Sequence, residues 1–208
     1  MSDLSTLIDI FALFGPFLKK GFNWMINRIK WNGNDEETRR IAFAFHNYSW
    51  TYTNQTIPGI ANLGSIPRPE FEQIHELWRS TKAPIILHGE AGSGKSSIAL
   101  CLAQDLAKNG DPVLFIKATD FPINQDPVMV IQNHLALNTK LMDSIAKLGN
   151  TRSCTIIIDQ LDSIAKTELC KSMVGFLRAL ANLPNVNILA VSRTYELQND
   201  ETLASTAG

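Results

Sequence analysis

The chain has 208 residues, 45% of them apolar and 19% charged, which suits one globular domain of ordinary size with appendages. A formal net charge of -1 gives no global attraction to nucleic acid or to an anionic membrane, so nucleic acid is not an expected partner. There is no long uncharged apolar run and no basic leader with a small-residue cleavage site. Cys101, Cys154 and Cys170 lack metal-site spacing and read as buried thiols, so the expected address is the cytoplasm.

Residues 3–31 place Leu4, Leu7, Ile8, Phe11, Phe14, Leu18, Phe22, Met25, Ile26 and Ile29 near one helical face. Gly15-Pro16 splits that face into two predicted helices, because proline lacks an amide donor and disfavours helical geometry just before itself. Lys19, Lys20, Arg28 and Lys30 make the second half basic, and Trp24 and Trp31 suit an interface. Residues 1–31 are therefore expected to be an amphipathic effector or docking segment. It would pack on a neighbouring domain, lie on a membrane surface or self-associate.

Residues 34–46 carry acids first and apolar residues after, a helix opening. Residues 47–69 are rich in Asn, Thr, Gly and Pro and read as a connector with little regular structure. A domain boundary is expected there, with residues 32–64 as helix and connector and 65–208 as the core. Pro69 fits a helix start, followed by Phe71, Ile74, Leu77 and Trp78 at helical spacing.

From Lys82 onward short apolar runs alternate with helical patterns. Strands are expected at 83–89, 112–118, 154–160 and 186–192, and helices at 96–110, through most of 126–148, and at 163–182. Uniformly apolar strands separated by helices predict a parallel sheet covered on both faces, which with G-x-x-x-x-G-K-S at residues 89–96 after the first strand makes the expected fold an α/β P-loop NTPase core. The residues after Arg193 read as a polar tail.

The first strand runs into Gly89, Glu90, Ala91, Gly92, Ser93, Gly94, Lys95, Ser96 and Ser97, a G-x-x-x-x-G-K-S phosphate loop in the required strand-to-helix setting. Glycines at 89, 92 and 94 are expected to take positive φ and bring amides within reach of phosphate oxygens. Lys95 would reach the β- and γ-phosphates, Ser96 would join a Mg²⁺ shell, and the helix beginning near Lys95 would turn its positive end to the anion.

The third strand ends in Asp159, where ligands bind in parallel sheets, and that acid is the expected partner of Mg²⁺. Asp162 is a candidate general base or the cap of the following helix, and Gln160 a weaker candidate for orienting water. The fourth strand brings Ser192 and Arg193 to the same edge, where the guanidinium could contact a γ-phosphate. His88 reads as a packed or capping residue; His46, His75 and His134 show no metal spacing.

These residues resemble the STAND class of signal-transduction ATPases, which contains NACHT and NB-ARC domains and is related to AAA+ ATPases. The likeness rests on "GEAGSGKSS", on the D-x-x-D spacing of "IIIDQLD", on "ILAVSR", and on the arginine-containing "SIPRPEFEQIHEL", over roughly residues 65–195. It implies ATP/ADP and Mg²⁺ as cofactors, with Lys95 and Ser96 on phosphate and metal, Asp159 as the Walker B acid, Asp162 as the water-activating acid and Arg193 as the sensor. Ile66, Pro67 and Arg68 would border the base. Members exchange ADP for ATP on sensing a signal, then oligomerise and present an N-terminal effector. Self-association or a partner protein is thus implied, with defence or cell-death signalling as the setting.

The class would also carry a fifth strand and a helical lid after the fourth strand. Their absence before Gly208 implies a fragment or truncated product, with the first strand as a sheet edge and nucleotide binding without hydrolysis. Two rival readings stand beside this one: an AAA+ ATPase of the origin-recognition or loader type acting on nucleic acid, and a nucleotide-binding scaffold without hydrolysis.

Overall fold

A computed structural model of the chain describes residues 35–56 and 69–204. The expected docking segment at 1–31 and the expected base-bordering residues Ile66, Pro67 and Arg68 lie outside the described residues. The described residues belong to one compact unit, Asp35–Gly208.

Its centre is a four-stranded, all-parallel sheet of β1 (Ile85–Gly89), β2 (Val113–Lys117), β3 (Cys154–Asp159) and β4 (Val186–Arg193), in the order β1-β4-β3-β2. Every residue of β3 is buried, which is why that segment shows no polar alternation. On one face Phe115, Ile157, Leu189 and Val191 pack with Ile98 and Leu102 of α3 (Lys95–Lys108), and with Ile74 and Trp78 of α2 (Pro69–Ser80). Ile156, Ile158 and Ile188 alternate with them along the strands and are buried too. Helices α5 (Leu141–Thr151) and α6 (Glu168–Ala181) also contact the sheet, α5 at β3 and β4 and α6 at β4. The expected α/β P-loop NTPase fold is thus observed, and among the described residues β1 is a sheet edge as expected. Leu77, expected on the packed stripe of α2, is exposed instead.

The expected connector is in part helical. Helix α1 runs from Glu36 to Thr56, well past His46, and lies against β2. Asp35 opens it, accepting from the Glu37 amide at 3.1 Å and the Thr38 hydroxyl at 2.7 Å. Lys147 of α5 pins that end by ion pairs to Asp35, at 2.8 Å, and to Glu37. Further along, the buried Ser49 hydroxyl donates to the Val113 carbonyl at 2.9 Å and accepts from the Phe115 amide at 2.8 Å. Those groups belong to the outer side of an edge strand, where they would otherwise face no strand. The polar stretch of this helix is thus docked on the sheet, its serine satisfying the edge. Replacing Ser49 by alanine removes both bonds and is expected to cost about 2 kcal/mol in urea unfolding. A loss under about 0.5 kcal/mol would show that the hydroxyl is dispensable.

Two other segments differ in detail from expectation. The helical stretch at 126–148 is two helices, α4 (Pro127–His134) and α5, because Ala136 takes φ 48° and Gln132 Oε1 accepts the Leu141 amide at 3.0 Å. The expected polar tail forms α7 (Thr194–Asn199) and α8 (Glu201–Ala204), which bury Leu197 and Leu203. Asp200 fastens it: one oxygen accepts from Thr202 and Leu203, and the other accepts from Lys166 at 2.7 Å. Burial raises the Asp200 carboxyl, but the amides of Leu203, Lys166 and Thr202 outweigh it and hold the group below the usual range.

Candidate nucleotide-binding site

The loop between β1 and α3 is built on two left-handed glycines, Gly92 at φ 76° and Gly94 at φ 88°. Gly94 is the residue on which α3 starts, and no side chain caps that helix, so its first amides are left for another acceptor. Gly89 departs from expectation: it does not take positive φ. Its role is spatial, since a Cβ there would stand 3.1 Å from Ser93 Oγ and 3.7 Å from Lys95 Cδ. Glu90, Ala91, Gly92 and Ser93 are exposed, whereas Ser96 and Ser97 are half-buried on the first turn of α3.

Lys95 curls back over the loop, donating to the carbonyls of Gly89 at 2.9 Å and Glu90 at 2.7 Å, with Ser93 Oγ at 3.4 Å. Its ammonium is therefore held at the loop by backbone oxygens and remains available to a stronger anionic acceptor. Ser96 donates to Asp159 Oδ1 at 2.9 Å, joining the loop to the end of β3. The Gln160 amide donates to the same oxygen at 2.9 Å, which leaves neutral donors on a buried carboxylate. Burial pushes the Asp159 acid above its usual value; the Ser96 and Gln160 bonds oppose that shift.

Asp162 lies in the 3-10 turn Leu161–Ile164 and meets the Arg193 guanidinium, Nε to Oδ2, at 3.1 Å. Of its two expected roles, helix capping falls to a different residue: Thr167 accepts the Cys170 amide at the start of α6. Gln160 takes φ 59°, and its side chain accepts from Thr119 at 3.3 Å. Arg193 ends β4 as the register partner of Gly89, so β4 carries it between the strand of the phosphate loop and the strand of Asp159. Ser192 is fully buried, its hydroxyl 3.3 Å from the Arg193 carbonyl. His88 is exposed and caps no helix, unlike the packed or capping residue expected, and its Nδ1 lies 3.2 Å from Thr194 Oγ1; His75 meets Asp105 at 2.9 Å. Among the described residues no three His, Cys, Asp or Glu side chains form a metal cluster.

Sequence reasoning missed Glu196, whose Oε1 lies 3.9 Å from Arg193 Nη1. The signal was present: an acid three residues after an arginine faces it once the segment is helical, but that segment read as tail.

Strand, glycine loop, helix and strand-end acid together define the class, an α/β P-loop NTPase. Residues 85–202 match the family described as "ATPase family associated with various cellular activities (AAA)", and the chain belongs to that family. The replication factor C large subunit of Natronomonas pharaonis is 28% identical over 132 residues, 64% of this chain and 25% of that protein. The chain thus spans about a quarter of the length of this relative. Among solved structures, AMPPCP-bound DnaA from Aquifex aeolicus is 17% identical, covering 64% of this chain and 38% of its own, with a TM-score of 0.45. A replication initiator DnaA bound to AMPPCP and single-stranded DNA is 18% identical, covering 66% and 42%, with a TM-score of 0.46. No helix among the described residues is long and apolar enough to cross a membrane.

Proposed function

We propose that this chain is the nucleotide-binding module of an AAA ATPase, taking ATP and ADP on the loop at residues 89–97. The observation that carries the reading is the 2.9 Å bond between Ser96 and Asp159, which are 63 residues apart yet meet beside the loop. Lys95 would exchange the loop carbonyls for phosphate oxygens, and the α3 amides would face the same anion. Ser96 and Asp159 suit Mg²⁺, since both offer hard oxygen and the hydrogen bonds that the acid accepts from Ser96 and Gln160 are from neutral donors. Bound there, the ion would neutralise phosphate charge. Asp162 is the candidate base for a water, Arg193 the reader of a γ-phosphate, and Pro67 and Arg68 the border of the base.

Two finer readings divide what the module serves. The likeness to a replication factor supports a loader acting on nucleic acid, and near-neutral net charge does not argue against a local basic surface. A STAND-type signalling switch is supported by the Asp159 and Asp162 spacing and by the contact of Asp162 with Arg193. Salt-sensitive binding of single- or double-stranded DNA favours the loader; nucleotide-driven self-association without DNA binding favours the switch.

The proposal is tested by thermal unfolding with Mg-ATP, Mg-ADP or no nucleotide. Ligand at about 100 times its Kd adds roughly 2.7 kcal/mol, a midpoint rise of about 5–10 °C in a domain of this size. Lys95→Ala is expected to abolish most of that rise. No rise in folded wild type, or an equal rise in the variant, would reject the site.

A further inference from the structure

Arg193 is shared between two acids. It contacts Asp162 at 3.1 Å and approaches Glu196 at 3.9 Å, and it is the outermost member: its side chain is 54% exposed, theirs 11% and 24%. Two recessed carboxylates thus face one guanidinium, and the second oxygen of Glu196 is buried without a hydrogen-bond partner. Withdrawing the cation would leave both recessed acids with less compensation, so the arrangement holds Arg193 back. Yet Arg193 is the register partner of Gly89, and its β4 position puts it beside the phosphate loop.

We infer that a γ-phosphate and Asp162 are rivals for Arg193, and that Glu196 is a positioning residue holding the guanidinium on the acid side. This inference rests on the nucleotide reading above. A γ-phosphate offers a denser anion with geometry suited to a planar guanidinium. ADP brings no such rival, so Arg193 stays with Asp162. ATP draws the guanidinium across and releases the Asp162 carboxylate, which is then free to accept a proton from a water whose oxygen bonds to the γ-phosphorus as the bond to the β-phosphate oxygen breaks and ADP leaves. The group that senses the third phosphate is therefore also the group that restrains the base. Discrimination between ATP and ADP depends on how firmly two acids hold one arginine, and Glu196 adjusts that hold without touching nucleotide.

The test is calorimetric titration of the full chain with Mg-ATP and with Mg-ADP, reading the ratio of the two Kd values. Asp162→Asn removes the main rival and is expected to shift the ratio toward ATP about tenfold. Glu196→Gln keeps the shape but loosens the longer contact, and is expected to shift it about threefold. Both gains should vanish when Arg193→Ala is added, because the rivalry then has no prize.

An unchanged ratio in both single variants would overturn the inference. So would equal gains in the Arg193→Ala background, which would mean that each substitution merely lightens negative charge near the phosphates. In either case Lys95-dependent binding of both nucleotides would leave the nucleotide reading standing. Absence of Lys95-dependent binding in wild type would overturn both. Retained ADP binding in each variant reports that it has folded.

Discussion

Alanine at Gly149 is expected to destabilise the protein by about 3 kcal/mol, whereas alanine at Gly175 should stabilise it by up to about 1 kcal/mol. Both glycines lie within helices, Gly149 in α5 and Gly175 in α6, so intrinsic helix propensity favours alanine at both. Their surroundings decide the sign. A Cβ at Gly149 would stand 2.3 Å from the Pro184 carbonyl oxygen, a backbone atom that no rotamer change can move. Relief requires α5 to back away from the turn before β4, loosening the 3.0 Å bond from Asn185 Nδ2 to the Gly149 carbonyl. At Gly175 a Cβ meets nothing within 4 Å. Urea unfolding of the two variants checks this, and shifts of the same sign would refute the close approach.

Asp159→Asn is expected to raise the thermal midpoint of the nucleotide-free chain at pH 7 while weakening the Mg²⁺ dependence of ATP binding by about 10–100-fold. The bonds from Ser96 and Gln160 both fall on Oδ1, so an asparagine oxygen can accept them unchanged, and the burial cost of the charge, which outweighs the attraction of Lys117, disappears. The sign comes from the raised acid. Below the unfolded-state pKa, about 3.9, both states are protonated and the charge costs nothing. As pH rises the unfolded chain ionises first, so stability falls until the native acid has ionised too, and stays lower above that point. The gain from asparagine should therefore be present at pH 7 and fade below about pH 4. A lowered midpoint at pH 7 would mean that the carboxylate is stabilised by contacts beyond these two.

The sheet was legible because β2, β3 and most of β4 are buried on both faces and so carry nearly unbroken apolar runs. Gly92, Gly94, Lys95, Ser96 and Asp159 were legible because phosphate chemistry demands those types at those spacings. What escaped depends on contacts distant in sequence. Ser49 is one polar residue in a polar stretch, and only its bond to Val113, 64 residues away, reveals how that stretch is docked on the sheet. Leu197 and Leu203 are isolated apolar residues whose burial comes from the Asp200 anchor on Lys166, a contact spanning 34 positions. The Arg193 cluster was half legible: the arginine and Asp162 stood out as separate candidates, and nothing in one dimension said that they touch.

The hydroxyl that closes the outer side of β2 leaves β1 as the other border of the sheet among the described residues. A strand added from elsewhere, in this polypeptide or another, would find that side obstructed by α1 and would have to join beside β1, the strand that runs into the phosphate loop. Anything that docks there and shifts the loop must, by reciprocity, have its own affinity shifted equally by nucleotide. A partner that used the remaining border would therefore have its assembly coupled to ligand occupancy.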